Sequence, residues 1–343
     1  MRQIKVLIVE DSLVFRELLA QNLAKDPAIE VVGTARDPYE ARDMILKYKP
    51  DVMTLDIELP RMDGIEFLRK LMPQYPLPVI MISSLSDRVF DAMNAGAVDF
   101  VAKPVTTKRE DLENFIRTEL PVKIKIASIA KVRRHKSTVA DAGTGQLKNT
   151  GGKCDLIAIG ASTGGTEATV ELLSGLHQDM PGIVVVQHMP AGFTTLYANR
   201  LCERCDLEVR EAKNGDTVRP GLVLLAPGGD AHMQVIRQDN DYKVILKKMD
   251  KVNGHCPSVD VLFHSVAKAA GRNAMGIILT GMGGDGAQGL LEMRKQGART
   301  IGQDESTCVV YGMPKVAYEI GAVEYQEKLP NIARKIYYIL NKQ

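Results

Sequence analysis

Short apolar runs that alternate with amphipathic stretches constrain this chain more than any other feature. The runs Ile4 to Val9, Val31 to Ala35, Val52 to Ile57, Val79 to Ile82 and Phe100 to Ala102 have strand length, and the stretches between them, such as Leu13 to Leu23, Ala41 to Leu46, Ile65 to Leu71 and Val89 to Met93, carry helical spacing. Five βα units in about 120 residues predict a small doubly wound parallel sheet. Such sheets bind ligands beyond the carboxyl ends of their strands, so the polar residues there are the ones that matter.

Between Pro121 and Lys153 the periodicity fades. The segment holds Lys123, Lys125, Lys131, Arg133, Arg134, Lys136, Lys148 and Lys153 against one acid, Asp141, and includes Gly143, Gly145, Gly151 and Gly152. This reads as a solvated linker. Apolar runs then resume at Leu156 to Ile159, Ile183 to Val186, Leu222 to Leu225, Val244 to Leu246 and Met275 to Leu279, with helical spacing over Thr166 to Leu176, Val259 to Ala270 and Gly289 to Gln296. The expected organisation is a first α/β domain over residues 1–120, a linker over 121–153 and a second α/β domain over 154–343, both built on doubly wound parallel sheets.

Composition excludes several functions. Lys and Arg number 44 against 42 Asp and Glu, a net charge of +2, which rules out nucleic-acid binding driven by bulk charge. Trp is absent and aromatic residues make up 5%, so stacking platforms for single strands are missing too. No apolar run approaches the ~20 residues that cross a bilayer, and the residues after Met1 lack an apolar signal region, so a soluble, cytoplasmic protein is expected. Five scattered cysteines do not form a disulfide framework. Cys202 and Cys205 have the spacing of half a zinc site, but no second such pair follows.

In the first domain, Glu10 and Asp11 follow the first run and Asp56 closes the third. These strands are neighbours at the switch point of a doubly wound sheet, so the three carboxylates converge, and hard oxygen donors suit Mg²⁺. Ser83 adds a hydroxyl after the fourth run and Lys103 an ammonium after the fifth. Taken singly, each is compatible with a helix cap or a surface charge. A cation and an ammonium beside an aspartate are what phosphoryl transfer requires.

The segments Val9-Glu10-Asp11-Ser12, Leu55-Asp56-Ile57-Glu58-Leu59-Pro60, Met62-Asp63-Gly64, Ser83-Ser84 and Lys103-Pro104 resemble the receiver domain of two-component response regulators, which has a flavodoxin-like fold. The resemblance implies that Asp56 is the phosphoacceptor and that Glu10 and Asp11 bind Mg²⁺ with it. It also implies that Ser83 is the switch hydroxyl, that Lys103 contacts the phosphoryl group, and that Lys103-Pro104 is a candidate cis peptide.

In the second domain, Gly160-Ala161-Ser162-Thr163-Gly164-Gly165 stands between an apolar run and a helical pattern. Small residues around Ser162 leave its hydroxyl accessible, making it a candidate nucleophile, or else a helix cap. Gln187-His188-Met189-Pro190 ends the next run, one βα unit later, so His188 is the candidate base; His232, His255 and His264 compete for the role. The third element is Thr280-Gly281-Met282-Gly283-Gly284-Asp285-Gly286, where Asp285 is placed to orient an imidazole. Two rival readings arise. Gly281, Gly283 and Gly286, with Asp304 and Glu305 downstream, satisfy a dinucleotide-binding fingerprint, but too little chain follows for the usual remaining strands. Gly160 to Gly164 also matches G-x-S-x-G, yet the order Ser, His, Asp is not that of an α/β-hydrolase.

These segments, with Leu225-Ala226-Pro227-Gly228, His255-Cys256-Pro257-Ser258-Val259-Asp260-Val261-Leu262-Phe263 and Gly312-Met313-Pro314, resemble the chemotaxis protein-glutamate methylesterases, the CheB family. The order of receiver, linker and esterase matches that family over the whole chain. The resemblance implies a Rossmann-like catalytic domain with the triad Ser162, His188 and Asp285, the Met282 amide as oxyanion donor, and no cofactor in the esterase domain. It further implies that glutamate methyl esters on methyl-accepting chemoreceptors are the substrate, with glutamine deamidation alongside, that a chemotaxis histidine kinase is the phosphodonor, and that membranes are met only through receptors. Cys256 stands where a basic residue is expected. The competing reading of the whole is a response regulator with a non-catalytic nucleotide-binding or scaffolding output domain.

Overall fold

A computed structural model of the chain describes residues 2–84, 86–104, 106, 109–132 and 154–342. The chain divides into two compact units, Met1–Ser137 and Thr138–Gln343.

The first unit carries β1 (Ile4–Val9), β2 (Ile29–Ala35), β3 (Val52–Asp56), β4 (Val79–Ser83) and β5 (Asp99–Ala102) in one sheet of order β2-β1-β3-β4-β5. Every pairing is parallel. β3 and β4 are buried along their full length, as expected for strands covered by helices on both faces. The register sets Val9 opposite Leu55, Asp56 opposite Ile82 and Ser83 opposite Ala102, so Glu10 and Asp56 are level at the carboxyl edge of the sheet, with Ser83 the next residue and Lys103 the one after it along the same edge.

The expected linker begins too early. Leu120–Ala127 is a helix with Leu120, Ile124 and Ala127 buried, and it belongs to the first unit. Two of the supposedly solvated lysines are ion-paired to that unit, Lys123 with Asp99 at 2.7 Å and Lys125 with Asp26 at 2.6 Å. Apolar residues at i, i+4 and i+7 drive this docking, a short pattern that the surrounding lysines mask in the sequence. Residues 133–153 of the expected linker lie outside the described residues. Lys103-Pro104 is not cis; among the described residues the cis peptide is Cys256-Pro257.

The second unit contains β6 (Leu156–Ala161), β7 (Gly182–Gln187), β8 (Glu208–Glu211), β9 (Thr217–Val218), β10 (Leu222–Leu225), β11 (Ala231–Gln238), β12 (Asp241–Lys248), β13 (Ala274–Ile278), β14 (Arg299–Gln303) and β15 (Tyr325–Glu327). Seven of these form a parallel sheet of order β15-β14-β13-β6-β7-β10-β8. The chain enters at β6, builds outward on one side, then crosses to β13 on the other. The switch point therefore lies between β6 and β13, where ligands bind in open sheets.

A departure from the all-parallel expectation is the three-stranded antiparallel sheet β11-β12-β9. Val244 to Leu246 sits in β12 of this sheet, not in the main one. Gln238 pairs with Asp241, leaving the two residues Asp239 and Asn240 as the connection, and so short a turn joins only antiparallel strands. Its inner face, including Met233, Val235 and Val244, joins the core against Val259, Leu262 and Phe263 of the helix Val259–Ala270. No described helix is long and apolar enough to cross a membrane.

Candidate active site and carboxylate cluster

Backbone pairing places Ser162 between the other two candidates. Ala161 lies opposite Gln187, and the His188 amide donates to the Ala161 carbonyl at 3.1 Å. On the other flank the Ser162 amide donates to the Thr280 carbonyl at 3.0 Å. Ser162 thus stands at the end of the central strand, with the His188 strand on one side and the Asp285 loop on the other. Two glycines make this approach possible. Gly164 has φ +77°, which L residues rarely adopt, and a Cβ there would fall 2.5 Å from that of Val309. A Cβ on Gly281 would lie 2.7 Å from the Ser162 Cβ. Gly164, not Ser162, is the cap residue of the helix Gly165–Ser174, so the capping role considered for Ser162 falls away. Met282, beside Gly281, lies in the same loop and is partly exposed.

His188 Nε2 and Asp285 Oδ2 are 2.8 Å apart, with both side chains nearly buried. An ionised carboxylate only accepts, so Nε2 carries the hydrogen. Nδ1 is left as the basic nitrogen, and it is buried without a hydrogen-bond partner among the described residues.

Asp285 is the most heavily solvated carboxylate of the site, although its solvent is the protein. Oδ1 accepts from Ser258 Oγ at 2.7 Å, Asn253 Nδ2 at 2.8 Å and the Asp260 amide at 3.2 Å, while Oδ2 also accepts from the Val259 amide at 2.7 Å. Those two amides open the helix Val259–Ala270, whose positive end favours an anion. Burial opposes the charge, but the hydrogen bond and charge of His188, aided by Asn253 and Ser258, outweigh it and hold the Asp285 carboxyl far below the usual range. A depressed folded-state pKa gives stability that is complete above the unfolded value of about 3.9 and is lost as pH falls toward the folded one. Urea denaturation should show the stability gap between wild type and Asp285→Asn largest above pH ~4 and narrowing in acid. A gap that stays constant to low pH would mean that ionisation of Asp285 does not stabilise the fold.

The competing residues have other positions. Fully buried His232 faces the Asp250 carbonyl through Nε2 at 3.0 Å and accepts from the Ser258 amide at Nδ1, 3.1 Å, so both ring nitrogens are engaged. His264 is exposed on its helix. Asp260 accepts from Asn253 and from the Gly289 amide, and Asp285 rather than Asp260 meets His188. Asn253 and Ser258 are not among the sequence-predicted site residues. Ser258 had a visible signal as cap of a helical pattern, whereas Asn253 sits in a loop at φ +54° with no local pattern to expose it.

In the first unit Glu10, Asp11 and Asp56 offer carboxylate oxygens within 4.8 Å of one another. Lys103 Nζ lies 2.6 Å from Asp56 and 3.0 Å from Glu10. Burial and then the Asp56 charge push Glu10 up to about 7, against the pull of Lys103. Burial disfavours the Lys103 ammonium, but the hydrogen bond and charge of Asp56, with the charge of Glu10, keep its pKa above the ordinary value. A single ammonium therefore leaves the cluster short of positive charge, and the donor set is one that fits a divalent cation. Ser83 is buried at the adjacent strand end, and its hydroxyl donates to the Ser84 carbonyl at 2.9 Å.

Comparison with known proteins identifies both domains. Residues 157–336 match the CheB methylesterase family and residues 6–117 the response regulator receiver domain. The protein-glutamate methylesterase/protein-glutamine glutaminase 2 of Syntrophomonas wolfei is 60% identical over 342 residues, covering 100% of this chain and 99% of that protein. The corresponding protein of Syntrophotalea carbinolica is 51% identical over 351 residues, again covering 100% of this chain and 99% of its own. Among solved structures, the Thermotoga maritima CheB methylesterase catalytic domain matches with a TM-score of 0.53 and 37% identity, covering 54% of this chain and 98% of that one. Two parallel-sheet α/β domains, one ending in a carboxylate cluster and one in a Ser, His and Asp cluster, thus coincide with the two family matches, and the chain belongs to the CheB methylesterase family with a response regulator receiver domain as its first part.

Proposed function

We propose that this protein hydrolyses methyl esters of glutamate side chains on methyl-accepting chemoreceptors, and deamidates receptor glutamines, with Ser162, His188 and Asp285 as its triad. The observation that carries the reading is the strand-end arrangement: the Ser162 amide donates to the Thr280 carbonyl and its carbonyl accepts from Gln187 Nε2 at 2.9 Å, while the His188 and Asp285 side chains are paired at 2.8 Å. Ser162 Oγ attacks the acyl carbon as its proton passes to His188 Nδ1, and the amide of Met282 donates to the developing oxyanion. The proton then moves to the departing methoxide, which leaves as methanol. Water, deprotonated in turn by His188, attacks the acyl-serine and frees the glutamate carboxylate and Ser162. Asp285 keeps the hydrogen on Nε2 and stabilises the imidazolium. An amide leaves less readily than an alkoxide, so deamidation depends more on His188 as acid.

The receiver domain sets the rate of this reaction through phosphorylation of Asp56 by a histidine kinase. Glu10, Asp11 and Asp56 are the residues that would hold Mg²⁺, which when bound neutralises charge on the transferring oxygens. A phosphoryl group adds about −1.5 to −2 charges and new acceptor oxygens, drawing Lys103 and releasing the Ser83 hydroxyl from the Ser84 carbonyl. The test is methanol release from a receptor fragment methylated on glutamate, with and without a small-molecule phosphodonor and Mg²⁺. Wild type should be stimulated and Asp56→Ala should keep its basal rate without responding. A response in Asp56→Ala equal to that of wild type would move the phosphoacceptor elsewhere, and no methanol release from wild type under either condition would remove the esterase reading.

A further inference from the structure

The segment between β12 and the helix Val259–Ala270 supplies more to the site than Asn253 and Ser258. The rings of His255 and His188 are stacked, with centroids 3.8 Å apart and planes 10° from parallel. This contact answers a geometric need. The hydrogen bond from Nε2 to Asp285 fixes one corner of the His188 imidazole but leaves the ring free to pivot about it, and a pivot moves Nδ1, the nitrogen that must face Ser162 Oγ. A flat surface against one face of the ring removes that freedom.

The surface is itself held. His255 and Val252 exchange both backbone hydrogen bonds, at 2.9 and 3.0 Å, closing a tight turn. Below the turn, buried His232 binds the Asp250 carbonyl and the Ser258 amide, pinning the segment on both sides of His255.

We propose that His255 is a positioning residue that fixes the plane of the His188 imidazole by ring stacking, and that its flat face rather than its ring nitrogens performs this role. The inference rests on the functional reading above and concerns the same site. It predicts a loss in the chemical step with substrate binding intact, because misplacing a reacting group by about 1 Å costs up to roughly 100-fold. It also predicts rescue by any flat aromatic side chain, since offset ring stacking does not require a titratable group.

The experiment compares wild type, His255→Ala, His255→Leu and His255→Phe in the full-length chain, with methanol release from the methylated receptor fragment as the assay and circular dichroism to confirm folding. Expected are a kcat about 10- to 100-fold lower for Ala and Leu at near-unchanged KM, and recovery of most of that loss in Phe. Wild-type kcat in the Ala variant would overturn the proposal, as would a Phe variant no faster than Leu, which would assign the role to the imidazole nitrogens. A raised KM at constant kcat would make His255 a substrate contact instead. Should the Ala variant fail to fold, the comparison of Leu with Phe still decides. An inactive wild type would defeat the functional reading itself, a result distinct from an active wild type with four indistinguishable kcat values.

Discussion

Replacing Ser162 with alanine should lower ester hydrolysis by roughly 10³- to 10⁶-fold and leave the protein folded. Under the proposed mechanism the large effect follows from losing the atom that attacks the acyl carbon. The small structural effect follows from the local geometry, because the anchoring hydrogen bonds of residue 162 come from its backbone and the following helix is capped by Gly164. Stability by urea denaturation should therefore stay near wild type. His188→Ala should cost a comparable factor, and the double variant should be scarcely worse than either alone, since members of one catalytic unit do not add. Losses that multiply in the double variant would show that the two side chains act in separate steps, and a folded Ser162→Ala protein with wild-type turnover would exclude it as nucleophile.

Asp285→Asn should be the next most damaging change, with a kcat loss of about 10⁴-fold by analogy of role with an orienting triad aspartate. The cause is tautomeric. A carboxylate accepts from Nε2 and leaves Nδ1 unprotonated, but an amide that turns its NH₂ toward His188 demands a lone pair at Nε2 and so puts the hydrogen on Nδ1, where it blocks proton uptake from Ser162. Turning the amide the other way sets its NH₂ against Ser258, Asn253 and the Asp260 amide, all of which donate to Oδ1 in the wild type. Either orientation leaves donors facing donors, so this variant should also lose stability, unlike Ser162→Ala. Asp260→Asn provides the contrast. Asp260 supports the Gly289 amide and Asn253 without touching His188, so its variant should keep far more activity than Asp285→Asn. Equal losses in the two would mean that the acid acts by holding the loop together and not by setting the tautomer.

Reading the chain residue by residue recovered the fold class because burial writes itself into sequence at short range. A strand covered on both faces, such as Leu156–Ala161, reads as a continuous apolar run, and the first polar residue at its end, here Ser162, marks where the strand stops. In a parallel sheet those ends gather along one edge, which is why the linear pattern alone groups Glu10, Asp56 and Lys103, or Ser162 and His188. Elements stabilised by contacts distant in sequence were hidden. The helix Leu120–Ala127 reads as tether in sequence because the partners of its lysines, Asp99 and Asp26, are not near them in the linear pattern. The strand β12 looked like one more parallel strand because a short apolar run does not state its direction; the two-residue connection after Gln238 does, through backbone geometry.

By itself, then, the sequence determined two doubly wound domains and the residue types gathered at their strand ends, because periodicity and burial are local. Only the tertiary structure decided which nitrogen of His188 meets Asp285, that Asp285 rather than Asp260 is the partner, and that Asn253, Ser258 and the ring of His255 complete the setting. The physical reason is that a hydrogen bond or a ring stack depends on ångström-scale placement of groups far apart in the chain. That placement is set by how the helix Val259–Ala270 and the preceding loop pack onto the sheet, not by any residue's own neighbours.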